Sequence, residues 1–215
     1  MINLFLVAIV TLICSRWCDR GLAIYVKRHL YGSMMWKSYT SEIPDFLLLI
    51  TSTVTLIAFM CYRYRKKKKI EDAGTSLSRL VAYAVPASYA VKSCLKFTFG
   101  RANPREWLVK PEIYGFHWFH GGDFSAFPSG HMAVFATIAA AFWRFFPQYR
   151  TVCSLFIALL AAALVATNYH FLSDVIAGTY LGIIVEVGTY NALTWISRRN
   201  RHAYPAFRGS GEKIG

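Results

Sequence analysis

Long apolar runs constrain the fold of this chain more than any other feature of its sequence. A helix needs about 20 mostly apolar residues to cross the hydrocarbon core of a bilayer. Six segments of the 215-residue chain approach this composition and length: 1–18, 44–62, 77–99, 130–147, 151–170 and 172–196. The sequence therefore predicts an all-α polytopic membrane protein, a bundle of six transmembrane helices.

The charged residues support the same fold class. Only 16% of the residues are charged, whereas a soluble domain carries about 25%. The net charge of +13 is concentrated in residues 62–69 and 197–202, and both basic segments flank apolar runs. Basic flanks of this kind indicate membrane topology and contact with anionic lipid headgroups, so we expect no nucleic-acid partner.

The distribution of lysine and arginine predicts the topology. Both termini are placed in the cytoplasm, because that side then carries fourteen basic residues against about ten on the other. The first apolar run is interpreted as a retained helix, and residues 19–44 as a segment lying in the membrane interface. We expect a single domain, 1–215, with its core at about 44–196 and a basic cytoplasmic tail at 197–215. The loop 100–129 then shares the non-cytoplasmic face with the turn near residue 170.

Pro128, Ser129, Gly130 and His131 stand directly before the fourth apolar run. Serine is a favoured N-cap residue, and glycine lets a ligand approach the main chain. The start of a helix exposes unpaired N–H groups and the positive end of the dipole, which together bind anions. The alternative is an ordinary capped helix whose first turn is polar.

His170 and Asp174 lie four residues apart where the sixth run begins, so they can face each other across one helical turn. A carboxylate that binds one ring nitrogen leaves the other available as a nucleophile or base. The alternative is a histidine at headgroup depth and an aspartate that stabilises a helix N-terminus. The second imidazole, His131, on the same face favours chemistry.

Lys96 ends the third run, close in sequence to Arg101 and Arg105. A lone lysine there could simply extend to the surface, but with the two arginines it forms a cationic patch. Cations, backbone donors and two imidazoles are the groups that phosphoryl transfer uses.

These motifs, in this order, resemble the signature of the type 2 phosphatidic acid phosphatase superfamily. Its pattern is lysine, six residues, Arg-Pro; then Pro-Ser-Gly-His; then Ser-Arg, five residues, histidine, three residues, aspartate. The middle motif matches completely at 128–131, and the last part of the third matches at His170 and Asp174. The resemblance covers roughly residues 44–196 and implies a lipid phosphatase.

Two positions depart from this pattern. Asn103 stands where the family has the arginine of its first motif, and Leu164 where it has the arginine of its third. Arg101 is the first candidate to supply the missing guanidinium, and Arg105 is the reserve.

The resemblance implies a mechanism without cofactor, metal or obligate protein partner. His170 attacks phosphorus and forms a phosphohistidine, Asp174 holds its ring, and His131 protonates the leaving oxygen and then activates water. The oxygens of the phosphate are assigned to Lys96, Arg101, Ser129 and Gly130.

The loop before the fourth run contains His117, His120 and Asp123, which are too few and too loosely spaced for a structural zinc site. Its aromatic residues are expected at headgroup depth, over a lipid substrate: Tyr114, Phe116, Trp118 and Phe119. Glu186, deep in the sixth run, is expected to pair internally or face a cavity.

An amphiphilic substrate is expected, with lipid A, polyprenyl diphosphate, phosphatidylglycerol phosphate and phosphatidic acid as candidates. We expect a bacterial inner-membrane protein whose site faces the periplasm. Alternatives are a phosphotransferase between lipids, a catalytically weak lipid-phosphate-binding protein, and a transporter without chemistry. A vanadate-dependent haloperoxidase shares the signature but is soluble.

Overall fold

The computed structural model describes residues 4–30, 43–122 and 124–203. In these ranges every regular element is a helix, and the only β-type pairing consists of isolated bridges from Arg101 to Phe116 and Ser125. The all-α prediction is confirmed. The helices are α1 Leu4–Ile13, α2 Asp19–Leu30, α3 Ile43–Lys67, α4 Ala73–Phe99, α5 Pro104–Trp107, α6 Gly130–Phe145, α7 Arg150–Ala166 and α8 Leu172–Ala203.

Three segments of the described chain are long and apolar enough to cross a membrane: Phe46–Lys67, Pro147–Ala166 and Leu172–Arg199. They correspond to the second, fifth and sixth predicted spans. The predicted turn between the last two is present, since Thr167 follows α7 and α8 begins at Leu172.

The first helix differs from its predicted extent. A π-helical turn, Cys14–Cys18, joins α1 directly to α2. The helix therefore continues to Leu30 instead of ending at residue 18. No proline interrupts this stretch, and Asp19, just after the π-turn, is buried. Residues 31–42 of the predicted interfacial segment lie outside the described residues, as does the tail beyond Ala203.

Helix α6 lies at the centre of the bundle, between α4 and α8. Its residues 132–137 are buried, and Val134 and Ala141 join a core cluster with Leu80, Val81 and Val85 of α4. This packing holds the N-terminus of α6 against the C-terminal ends of α4 and α7.

Glycines of α8 allow its backbone to approach α6 closely. A Cβ atom at Gly182 would lie 2.3 Å from the carbonyl oxygen of Ala133 and 2.8 Å from Cβ of Ala136. Thr137 donates a hydrogen bond to the carbonyl of Gly182, at 3.1 Å. Small residues at such a crossing are typical of helices packed in membranes.

We expect Gly182→Ala to destabilise the protein by about 1–3 kcal/mol, because the added methyl group overlaps backbone that cannot move freely. Gly188→Ala, on the same helix, meets nothing within 4 Å and is the matched control. Thermal unfolding in detergent micelles compares the two variants. Equal unfolding midpoints for both would contradict the close packing of α6 on α8.

The buried Glu186 pairs internally. Its carboxylate accepts two hydrogen bonds from Arg144, at 2.5 and 2.8 Å, and the guanidinium lies 4.1 Å from the ring centroid of Tyr190. This ion pair joins the C-terminal end of α6 to α8, at the end of α6 opposite to His131, so it contributes to packing.

Candidate active site

The structure brings the two motif imidazoles together. His131 lies in the first turn of α6, and His170 lies in the turn between α7 and α8. Their ring centroids are 6.0 Å apart. His170 is buried, whereas His131 is partly exposed. At this separation both rings can contact one phosphoryl group, because reacting atoms approach to about 3–3.5 Å before a bond forms.

Ser129 and Gly130 form the start of α6 that their sequence predicts. Ser129 is the N-cap, and its Oγ accepts a long hydrogen bond of 3.4 Å from the amide of Met132. The amide of Ser129 donates to the carbonyl oxygen of Asp174, at 3.0 Å. The N-terminus of α6 is thereby fixed to the first turn of α8, so the two histidine-bearing segments keep one relative position.

Asp174 lies beside His170 but does not form a hydrogen bond with it. Nδ1 of His170 is 3.8 Å from Oδ2 of Asp174, a distance beyond the range of hydrogen bonds, and has no hydrogen-bond partner among the described residues. Oδ2 instead accepts from the amide of Phe171, at 2.9 Å. Burial lowers the pKa of His170, and the Asp174 carboxylate opposes that shift. The ring is therefore neutral at neutral pH, as a nucleophile must be.

The chain just after α4 fixes the position of Arg101. Gly100 ends the helix with φ +48°, and a Cβ atom there would lie 2.0 Å from the carbonyl oxygen of His117. The amide of Arg101 donates to Phe124 O at 2.9 Å, and its carbonyl accepts from Ala126 N at 2.8 Å. The loop before α6 is thereby tied to the end of α4.

Arg101 is buried, and its guanidinium contacts the carboxylates of Asp174 and Asp19. Its Nη1 donates to Oδ1 of Asp174 at 2.5 Å and to Ser173 Oγ at 2.7 Å. Its Nη2 donates to Oδ2 of Asp19 at 2.8 Å. Burial alone would lower the pKa of Arg101, but the two carboxylates raise it. The guanidinium is therefore charged and paired with both of them.

Asp19 and Ser173 belong to this network, although neither was predicted from the sequence as a site residue. Asp19 accepts from the amide of Ser173 at 3.1 Å and from its hydroxyl at 2.5 Å. The signal for Asp19 was weak: it is the first acidic residue after the first apolar run, about 80 positions from Arg101. The network joins the N-terminal helix to the start of α8.

A small cavity, about 60 Å³ in volume, opens beside His131 between α3, α4 and α6. The residues that line its polar part are Thr51, Tyr89, Lys92, Lys96, Gly130 and His131. A single water molecule needs about 10–15 Å³, so the cavity accommodates a larger group. Lys96 is placed as predicted. Lys92 was missed, although its position one helical turn before Lys96 is a signal that the sequence contains.

The residues at the positions that depart from the phosphatase pattern, and the reserve candidate Arg105, cap helices or pack within the protein. Asn103 is the N-cap of α5, where its side chain accepts from the amide of Glu106 at 2.9 Å. Arg105 donates from Nε and Nη2 to the carbonyl oxygen of Thr167, at 2.9 and 2.8 Å. Leu164 is buried in an apolar cluster. Arg105, the reserve candidate, thus contacts the C-terminal end of α7.

The aromatic loop is divided between the protein interior and the surface. Phe116 packs against Phe99 and Phe127, and the Tyr114 hydroxyl donates to the carbonyl of Ser15 at 2.7 Å. Trp118 and Phe119 are exposed, as side chains at headgroup depth would be. Tyr114 and Phe116 are thus partly buried, and the depth of the four rings in a membrane stays a prediction.

The loop histidines bind the backbone of their own loop. A ring nitrogen of His117 lies 3.1 Å from the carbonyl of Ile113, and one of His120 lies 2.7 Å from that of Trp118. Asp123 lies outside the described residues. Within the described part of the chain, no three His, Cys, Asp or Glu side chains are grouped as metal ligands would be.

The chain is similar in sequence to a known protein family and to two known proteins. The sequence profile of the PAP2 superfamily matches residues 77–198. Two proteins named lipid A 1-phosphatase are similar to the chain. The one from Rhizobium johnstonii is 30% identical over 156 residues, 71% of this chain and 59% of that protein. The one from Rhizobium etli is 31% identical over 139 residues, 63% of this chain and 57% of that protein.

The chain thus spans less than two thirds of the length of either relative. No solved structure matches it. The profile begins within α4, at residue 77, and ends within α8, at residue 198, so Asp19 lies outside it.

Proposed function

Because the chain belongs to the PAP2 superfamily, we propose that it is a membrane-embedded phosphatase that hydrolyses the terminal phosphate of a lipid. The observation that carries the proposal is the separation of 6.0 Å between the His131 and His170 rings, beside a cavity with two lysines. Two imidazoles and a cationic pocket supply a nucleophile, an acid–base group and compensation for the phosphate charge.

In the first step, a ring nitrogen of neutral His170 attacks phosphorus and forms a P–N bond. The bond from phosphorus to the lipid oxygen breaks, and protonated His131 donates its proton to that oxygen, because an alkoxide is a poor leaving group. In the second step, His131 takes a proton from water, the resulting hydroxide attacks the phosphohistidine, and the P–N bond breaks. Inorganic phosphate leaves, and His170 and protonated His131 are restored.

Lys96 and the amide of Gly130 bind the phosphate oxygens in this mechanism. Ser129 caps the helix whose first N–H groups face the phosphate, and its buried hydroxyl supports that orientation. Asp174 stabilises the positive charge that develops on the His170 ring. Arg101 contributes as a positioning residue, since it binds the carboxylate of Asp174. The positive field comes from protein groups alone, so the mechanism is metal-independent and needs no cofactor.

The substrate is proposed to be an amphiphile. Beyond its polar part, the cavity is bordered by apolar side chains of α3 and α6: Leu47, Leu48, Val134 and Phe135. This arrangement suits a phosphate whose lipid portion remains between helices. The similar lipid A 1-phosphatases favour lipid A, with polyprenyl diphosphate, phosphatidylglycerol phosphate and phosphatidic acid as the other candidates.

The proposed location is the bacterial inner membrane, in a six-span topology with the site on the periplasmic face. The C-terminal end of α4, the N-terminus of α6 and the turn at His170 meet at one end of the bundle. The basic residues in the last turn of α3 lie at the other end, which the distribution of lysine and arginine assigns to the cytoplasm.

We expect the purified protein in detergent micelles to release inorganic phosphate from at least one of the four candidate lipids, at an unchanged rate in EDTA. His120→Ala is the control, because this exposed loop histidine has no role in the mechanism and its loss should leave the rate unchanged. Phosphate release is measured colorimetrically. Loss of turnover in EDTA would contradict the metal-independent mechanism.

The same assay separates the proposal from its alternatives. A lipid-phosphate-binding protein, the interpretation favoured by Asn103 and Leu164, would bind the lipids and release no phosphate. A phosphotransferase would move a labelled phosphoryl group to another lipid instead of releasing it as free phosphate.

A further inference from the structure

We propose that Lys92 is a second phosphate-binding lysine, which makes the site selective for dianionic phosphate monoesters over the phosphodiesters of ordinary phospholipids. The expected effect on catalysis rests on the proposed function. The expected effect on phosphate binding rests only on the geometry of the cavity. Lys92 lies outside all three motifs that carry the family resemblance.

Lys92 and Lys96 project from the same face of α4, because they are four residues apart on a helix. Both are partly buried, and both line the cavity beside His131. A Cβ atom at Gly130 would lie 3.0 Å from Cδ and Nζ of Lys92 and 3.4 Å from Cε of Lys96. The two side chains therefore converge on the first residue of α6, at the positive end of its dipole.

No carboxylate in the described part of the chain lies close enough to either lysine to form an ion pair, although Asp174 acts on Lys96 from a greater distance. In the described ranges, neither of them forms an ion pair, and no acidic residue lines the cavity. Like charges four residues apart on a helix repel each other, and partly buried cations without a counter-charge are costly. An anion bound between the lysines and the N-terminus of α6 removes both penalties.

Tyr89, one turn earlier on α4, holds Lys92 in this position and is itself fixed to α3. Its Nζ lies 4.5 Å from the ring centroid of Tyr89, within the range of cation–π attraction. The Tyr89 hydroxyl is hydrogen-bonded to Thr51 Oγ1 at 2.6 Å, and Thr51 is buried. The ammonium group is therefore held beside the cavity and does not extend freely to a lipid surface.

Two positive charges without a direct ion-pair partner give selectivity by charge. A phosphate monoester carries about 1.5–2 negative charges near pH 7, whereas a phosphodiester in the bilayer carries one. The attraction between the cavity and its ligand scales with the product of their charges, so the second lysine favours the monoester. Lys92 thereby replaces cationic charge that Asn103 and Leu164 do not supply.

Binding of inorganic phosphate tests this inference without turnover. We expect Lys92→Gln to raise the apparent Kd for inorganic phosphate about 10-fold, measured by the phosphate-dependent shift of the unfolding midpoint. Lys92→Arg should retain most of the affinity. Lys110→Gln, which removes an exposed positive charge on the same face, is the matched control and should change the Kd less than twofold.

A kinetic measurement follows the same variants. For a short-chain phosphatidic acid, Lys92→Gln should raise KM about 10-fold with a smaller change in kcat, and competition by a short-chain phosphatidylglycerol should become relatively stronger. A Kd for phosphate and a KM within twofold of wild type would overturn the inference. Absence of turnover in the wild type would contradict the proposed function instead, and the phosphate-binding result would still decide the role of Lys92.

Discussion

Replacing His170 by alanine is expected to reduce phosphate release by about 10³-fold or more, since the variant lacks the nucleophile and cannot form the covalent intermediate. Binding of the lipid should persist, because the lysines and the N-terminus of α6 remain. The measurement combines steady-state phosphate release with the affinity for a non-hydrolysed lipid phosphonate. The wild type, quenched during turnover with labelled substrate, should carry the label on His170 as an acid-labile phosphohistidine.

The variant His131→Ala distinguishes the roles of the two imidazoles, because its loss of activity should depend on the leaving group of the substrate. A substrate whose leaving group is already acidic needs little protonation, so this variant should lose less activity with an aryl phosphate than with an alkyl phosphate. His170→Ala should be equally inactive with both. If His170→Ala retains a tenth of the wild-type rate while His131→Ala retains none, the assigned roles are reversed or the intermediate does not form.

The parts of the site that sequence could predict are those that depend on local pattern. The order Pro-Ser-Gly-His before an apolar run specifies a capped helix N-terminus, and it positions His131 whatever the rest of the chain does. The spacing of His170 and Asp174 specifies a turn that leads into a helix. These segments meet because the apolar runs on either side must pack against each other, so the proximity of the imidazoles follows from topology.

The buried charge network could not be predicted, because it depends on contacts between distant segments. Asp19 was assigned to an interfacial segment, because residues 19–44 mix aromatic, aliphatic and basic side chains. Only the tertiary structure shows that the helix continues and that this carboxylate reaches Arg101. Arg101 was likewise interpreted as a ligand of phosphate from its position near Lys96, whereas its neighbours in space are carboxylates.

The position of Lys92 at the cavity could not be predicted from the sequence for a different reason. In sequence it is one more lysine within an apolar segment, where an extended side chain that reaches the surface is the usual explanation. Its significance comes from the close approach of α4 to Gly130. The distance between two helices is set by the small residues at their crossing, which the pattern of a single helix does not reveal.

We expect Arg101→Met to lower the free energy of unfolding by about 3–5 kcal/mol, because it leaves two buried carboxylates without a counter-charge. Asp19 and Asp174 both bind this guanidinium, and their side chains are fully buried. A residue that only contacted substrate would change KM and leave stability nearly unaltered. Thermal or denaturant unfolding in detergent, without substrate, therefore separates the two roles. Arg65→Met, which breaks the exposed ion pair with Asp72, is the control and should change stability little.

The double variant Arg101→Met with Asp19→Asn sharpens this prediction. Neutralising Asp19 removes one of the two uncompensated charges, so the double variant should be more stable than Arg101→Met alone, although still less stable than the wild type. Asp174 would remain without its cation, so activity should not recover together with stability. A double variant less stable than Arg101→Met would show that Asp19 contributes through its hydrogen bonds to Ser173 more than through its charge. That result would overturn the account of Arg101 as the counter-ion that holds the N-terminal helix against the active site.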